Sequence, residues 1–226
     1  AGGGFAGVEL AGGINDFARG MLADYPHISP EELSVVLVHS RDRILPELPP
    51  SLAEYAKKRM AARGVTFMLN ARVKDARPGA VLLADGTEIP NQTLVWTAGT
   101  APNPLLATLP VERDKRGAVV VDGTLRVPSH PEIWALGDCA AVPNAATGAT
   151  APPTAQFALR EARCAARNLA ATLAGRPLRR FSFEALGALC VVGHQTACAE
   201  IRGLKFSGLL AWLMWRAIYL GKLPGA

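Results

Sequence analysis

Ala1-Gly2-Gly3-Gly4-Phe5-Ala6-Gly7-Val8-Glu9-Leu10 opens the chain with G-x-G-x-x-G on Gly2, Gly4 and Gly7. Three glycines at this spacing have separate physical uses. Gly2 permits a tight turn, Gly4 lets a pyrophosphate approach the backbone, and Gly7 lets a helix lie close to a sheet. The helix start then turns free N–H groups and a positive dipole end toward the phosphates. Such a turn follows a strand, and that strand would be central in its sheet. The expectation is therefore a piece of a longer protein whose first strand precedes Ala1. A glycine-rich loop at a frayed end is the plainer reading of the same residues.

The residues that follow favour the first reading. Phe5 to Leu22 reads as a helix with its apolar residues on one face, and Ser34 to His39 as a short buried parallel strand. Pro50 to Arg63 reads as a second helix, with proline in its first turn and Gly64 past its end. Val65 to Leu69 is another strand, and Val81 to Ile89 are two short strands about Asp85-Gly86. Thr93 to Gly99 closes the unit. A β-α-β order with a small antiparallel insert is a dinucleotide-binding domain.

A second signature lies further on. Ile133-Trp134-Ala135-Leu136-Gly137-Asp138-Cys139-Ala140 reads as a buried strand ending in Gly-Asp. The Asp138 carboxylate there can accept from a ribityl or ribose hydroxyl, and Gly137 allows close approach. A plain strand-to-turn exit fits those two residues equally well. Pro152-Pro153 then leads into a helix from Ala155-Gln156 to about Ala174, stopped by Gly175. Its N-terminus suits the electron-rich edge of a reduced flavin. A helix merely packed through Ala155, Ala158, Ala162, Ala165 and Ala166 is the alternative.

The 226 residues are half hydrophobic and carry a net charge of +5. From Arg176 onward seven basic residues face only Glu184 and Glu200, so the whole excess lies in the tail. A basic, apolar tail points to an anionic membrane surface rather than to nucleic acid, with a solvated basic face as the plain alternative. Phe206 to Trp215 is apolar but short of the about 20 residues that span a bilayer. With Trp212, Trp215 and Tyr219 it reads as an interfacial helix, or as a core or dimer-interface helix. Cys139, Cys164, Cys190 and Cys198 form no C-x-x-C pair, and no metal-ligand spacing occurs.

Gly-Gly-Gly-Phe-Ala-Gly-Val-Glu, Trp96-Thr97-Ala98-Gly99, Leu136-Gly137-Asp138-Cys139-Ala140, Thr154-Ala155-Gln156 and the tail with Lys222-Leu223-Pro224-Gly225 follow one another in order. Together they resemble the type II NADH dehydrogenases, non-pumping NADH:quinone oxidoreductases that use FAD. The likeness runs along essentially the whole chain. It implies an α/β fold of two Rossmann-like domains plus a C-terminal amphipathic, membrane-associated segment. Residues 1–97 would be the NAD(P)H domain lacking its first strand. Residues 98–180 would be the second half of a split FAD domain. Residues 181–226 would hold C-terminal strands and a membrane-associated helix that continues past Ala226.

The resemblance also implies roles. Gly2, Gly4 and Gly7 would hold the NADH pyrophosphate, with Ala98 and Gly99 also at the cofactor. Glu9 would sit near nicotinamide and flavin, and Gly137 and Asp138 would bind the FAD ribityl chain. Ala155 and Gln156 would lie beside the isoalloxazine and the quinone. Two departures stand out. His39-Ser40-Arg41 replaces the acidic strand end of many NADH-using relatives, so NADPH is also an expected donor. Arg160 stands where relatives often carry glutamine, and would either pair with a nearby acid or bias the quinone site electrostatically. The implied location is peripheral, on the cytoplasmic face of the inner membrane; a homodimer is compatible, and nucleic acid is not expected. The rivals are a soluble NAD(P)H-dependent flavin reductase of the ferredoxin or disulfide reductase type, and a non-catalytic NAD(H) sensor.

Overall fold

A computed structural model describes residues 1–221 and Leu223; the Lys222, Pro224 and Gly225 of the tail motif lie outside the described residues. In chain order the elements are α1 (Phe5–Met21), β1 (Val35–Val38), α2 (Pro50–Ala61), β2 (Val65–Met68), β3 (Val73–Arg77), β4 (Ala80–Leu83) and β5 (Glu88–Pro90). Then come β6 (Val119–Val120), β7 (Arg126–Val127), β8 (His130–Trp134), β9 (Ala140–Ala141) and α3 (Ala155–Leu173). The last are β10 (Gly187–Gly193), β11 (Thr196–Ile201), β12 (Leu204–Gly208) and α4 (Leu209–Leu220). They form two compact units, one of residues 1–99 with 186–226 and one of residues 100–185.

In the first unit, β1 and β2 pair in parallel, Val35 opposite Val65 and Val38 opposite Met68, with α2 as the crossover. Pro49 and Pro50 set the start of α2, since proline gives up an N–H that a first helical turn leaves unpaired in any case. The helix buries Leu52, Ala53, Ala56 and Met60 against Leu37, Ile44, Leu45 and Val65. The insert is a three-stranded antiparallel sheet, β3-β4-β5, one strand more than the Asp-Gly turn alone predicts. β3 reads Val-Lys-Asp-Ala-Arg and is mostly exposed, so no apolar run marks it. Thr93 to Thr97 forms no strand among the described residues.

β10, β11 and β12 make a second antiparallel sheet in the same unit. It packs on α1 and α2, with Cys190, Val192 and Cys198 joining their core. The packing alters the reading of α1. The expected apolar face is not the buried one: α1 buries Val8, Gly12 and Asn15, while Leu10, Ile14 and Phe17 are exposed. A methyl on Gly12 would stand 2.7 Å from the Val192 carbonyl, so the missing side chain brings helix and sheet together. Asn15 donates to the Arg63 carbonyl at 3.0 Å, and Asp16 pairs with Arg63 at 3.3 Å. Arg63 in turn donates to the His194 carbonyl at 2.8 Å and to Thr196 Oγ1 at 2.5 Å, tying the β10–β11 turn to both helices. α4 lies on β11 through Ala211 against Ala197 and Ala199.

In the second unit, β6 and β9 pair in parallel and β7 and β8 antiparallel. β8 is a half-exposed hairpin strand rather than the buried strand expected before Gly-Asp, because Pro131 and Glu132 face solvent. The core gathers Val119, Val121, Leu125, Val127, Val142, Phe157 and Phe181.

Candidate functional site

The N-terminal glycines form one tight cradle. Gly2 N–H donates to the Val38 carbonyl at 2.9 Å, and Thr97 N–H donates to the Ala1 carbonyl at 2.8 Å. Ala1 and Gly2 therefore sit in the slot between β1 and the 93–97 segment. Gly2 has φ +115, a left-handed value that a side chain resists. A methyl on Gly7 would run into the Gly2 carbonyl oxygen, so this glycine lets α1 start hard against the turn. Gly4, which precedes α1, is different. A methyl there would meet only Glu47 Oε1 at 3.7 Å, and no side chain caps the helix. The turn leaves backbone donors open at a positive helix end, a suitable seat for phosphate.

His39 lies at the end of β1, against this turn. Gly3 N–H donates to His39 Nδ1 at 3.1 Å. The ring then carries its proton on Nε2, and Nε2 is buried without a partner. Burial, reinforced by the nearby Arg41 guanidinium, holds the imidazole below its ordinary pKa and keeps it neutral. His39 thus shapes the glycine turn, while Ser40 and Arg41 beside it are exposed.

Glu9 projects from the first turns of α1 and accepts from Val191 N–H of β10 at 3.1 Å. Burial raises its carboxyl above the usual range, against the opposing pull of that hydrogen bond. Ala98 and Gly99 are exposed at the end of the closing segment, where Trp96 Nε1 donates to the Ala98 carbonyl at 2.9 Å. Between β1 and residues 93–97 lies a cavity of about 550 Å³, with Leu10, Ala11 and Ile14 of α1 along one wall.

In the second unit, Gly137, Asp138 and Cys139 make a single helical turn after β8. Gly137 has φ +65, and Asp138 is exposed. α3 meets this turn. The Gly137 N–H donates at 2.7 Å to Glu161, a carboxylate only 2 % exposed. Burial raises the Glu161 pKa, the hydrogen bond from Gly137 opposes it, and Asp138 adds to it. Sequence reasoning passed over Glu161, though its signal was there: Phe157, Glu161, Ala165, Asn168 and Ala171 fall at helical spacing and form the buried stripe. An acid on such a stripe needs a partner. Thr154 precedes α3 with no side-chain cap, and Ala155 and Gln156 form its first turn, Gln156 half-buried. Arg160 donates to the Gln156 carbonyl at 2.8 Å, and its guanidinium lies 4.0 Å from the Phe183 ring centre. Among the described residues no group of acids, cysteines and histidines could hold a metal ion.

A glycine-cradled helix start packed on a parallel strand pair in one unit, and a Gly-Asp turn met by another uncapped helix start in the other, define a dinucleotide-type α/β protein. Residues 1–162 match the pyridine nucleotide-disulphide oxidoreductase family, and the chain belongs to it. It is 33% identical over 236 residues to a type II NADH:quinone oxidoreductase of Mycobacterium tuberculosis, covering 99% of this chain and 50% of that protein. It is 30% identical over 240 residues to a mitochondrial internal alternative NAD(P)H-ubiquinone oxidoreductase of Arabidopsis thaliana, covering 98% and 46%. The chain thus spans about half the length of these curated relatives. In fold it matches NDH2 from Plasmodium falciparum, solved in complex with NADH, at a TM-score of 0.88 and 18% identity, over 99% of this chain and 61% of that one.

Proposed function

We propose that the chain is part of an FAD-dependent NADH:quinone oxidoreductase, which moves a hydride's two electrons from NADH to a membrane quinone without pumping ions. The observation that carries this reading is the pair of open cofactor turns in one chain. The glycine cradle leaves room at Gly4 and an unpartnered buried donor on His39 Nε2. The Gly137–Asp138 turn offers an exposed carboxylate beside the uncapped start of α3. These residues fit a nicotinamide dinucleotide and FAD respectively. The flavin, when bound, supplies the two-electron chemistry.

The chain's own residues bind and orient. The cradle of Gly2, Gly4 and Gly7 receives the pyrophosphate. Ser40 and Arg41 are placed to meet the adenosine ribose or its 2′-phosphate, so NADPH also fits. Glu9, held by Val191 N–H and disposed by burial to keep a proton, serves as a proton-carrying group near the nicotinamide. Asp138 accepts from the ribityl hydroxyls. Gln156 donates to a quinone oxygen, and Arg160, drawn onto Phe183, sets the charge nearby. The cavity along the free edge of β1 is the place of the domain's central strand. α4, with Trp212, Trp215 and Tyr219, lies on the cytoplasmic face of the inner membrane.

The test is the full-length protein, purified with its flavin. NADH added without oxygen should bleach the flavin, and a quinone should restore the colour. Flavin that does not bleach would make the protein a nucleotide sensor. Flavin that bleaches and is reoxidised by a ferredoxin or a disulfide but not by quinone would make it a soluble reductase.

A further inference from the structure

The redox reading draws on one cavity of the second unit only through Arg160 at its rim. It has a volume of about 300 Å³ and lies between α3 and residues 179–183. Arg160, Arg163 and Arg167 of α3 line one side, and Arg179 and Arg180 the other. Among the described residues none of the five guanidiniums forms an ion pair. Five cations lining one cavity with no ion pair among them repel one another, so the arrangement gains most from an anion placed among them.

A merely solvated basic face needs no fixed backbone, and this wall has one. Asn168 is 1% exposed, and its amide holds both backbone groups of Arg179, accepting from N–H and donating to the carbonyl, each at 2.8 Å. Asn144 is 2% exposed and grips Phe183 the same way, at 2.7 Å and 3.0 Å. Between them Phe181 N–H donates to the Gly123 carbonyl at 2.7 Å. Two buried asparagines thus pin both ends of the segment that carries Arg179 and Arg180. Across the cavity, Arg160 is fixed by the Gln156 carbonyl and the Phe183 ring. The Cys164 thiol in the wall is pushed up by burial and stays neutral, so it adds no competing negative charge.

We infer that this arginine-walled cavity is a binding site for a phosphate-bearing anion. Guanidinium forks match phosphate oxygens in pairs, and a fixed wall lowers the ordering cost of each bond. The volume suits a phosphate or diphosphate group and is too small for a folded partner. Free diphosphate and an anionic lipid headgroup present the same chemistry. The inference does not depend on the redox reading, and binding rather than turnover tests it.

The experiment titrates full-length, flavin-loaded protein with inorganic pyrophosphate by calorimetry, and measures co-sedimentation with phosphatidylglycerol and phosphatidylcholine vesicles. The variant is Arg163→Gln with Arg167→Gln, both exposed on α3, with circular dichroism melting to confirm the fold. Pyrophosphate affinity should fall by about tenfold or more in the variant, since bonds to charged groups are the strong ones. Arg163→Lys with Arg167→Lys should fall between, having the charge without the fork. Pyrophosphate binding lost in the variant supports a soluble ligand. Binding only to phosphatidylglycerol vesicles, lost in the variant, supports the headgroup. If both ligands bind wild type and variant equally, or neither binds wild type, the inference is overturned.

Discussion

Glu161 shows how one side chain can hold two parts of a site together. It sits on the buried stripe of α3, and its acceptor fixes Gly137, the residue next to Asp138. Burial raises its pKa above the ordinary carboxylate value of 4.5. The folded state therefore binds a proton more tightly than the unfolded chain. Its contribution to stability is fully present below pH 4.5 and is lost as pH rises through the higher folded value. Glu161→Gln keeps an oxygen to accept from Gly137 and removes the titration. The thermal midpoint of this variant should lose that part of the decline between acid and neutral pH, and melting curves at several pH values would show it. Glu161→Ala leaves the Gly137 N–H without its acceptor and should cost about 1–3 kcal/mol. An identical pH dependence in wild type and the Gln variant would mean that Glu161 is not perturbed. The glycine cradle was legible in the sequence because each glycine has a separate steric use. The role of His39 was not, because only the folded chain brings Gly3 N–H against its ring.

At the level of elements, what the sequence told well was local. Caps, turns and prolines placed α1, β1, α2, β2 and α3 within a few residues of where they lie. Neighbour-dependent features were hidden. β3 has no apolar pattern, and the buried face of α1 is set by Gly12 and Asn15, which no hydrophobic count would choose. The exposed Leu10 and Ile14 then line the cavity beside β1. β1 pairs only with β2 among the described residues, and an open strand edge next to apolar side chains is costly to leave wet. If a central strand fills this place, backbone amides of Val35–Val38 directed away from β2, with those of Leu94 and Val95, should exchange slowly in the full-length protein. Hydrogen exchange would measure them against the amides that bond β2. Exchange as fast as an exposed loop would show that no strand enters there.

For the molecule as a whole, the basic excess counted in the tail divides between the two units. Arg176, Arg179 and Arg180 belong to residues 100–185, while Arg202, Lys205 and Arg216 belong with 186–226. The second group accompanies α4, whose twelve residues bury little besides Ala211. Leu209, Leu210, Leu213 and Leu220 are each more than half exposed. No described helix is long and apolar enough to cross a membrane. A row of exposed leucines beside Arg216, which lies over Trp212 at 4.9 Å, fits a helix lying flat at headgroup depth, where apolar burial and attraction to anionic lipid act together. If α4 lies on the bilayer as proposed, Leu209→Gln with Leu213→Gln removes two contacts with it. Each buried leucine is worth about 1.5–3 kcal/mol, so losing two should weaken binding to phosphatidylglycerol vesicles by about a hundredfold or more. Both side chains are exposed, so the melting temperature should hold, and reduction of a water-soluble quinone should persist while that of a membrane-held quinone declines. Unchanged co-sedimentation of the double variant would mean that this apolar face is covered by protein instead of lipid.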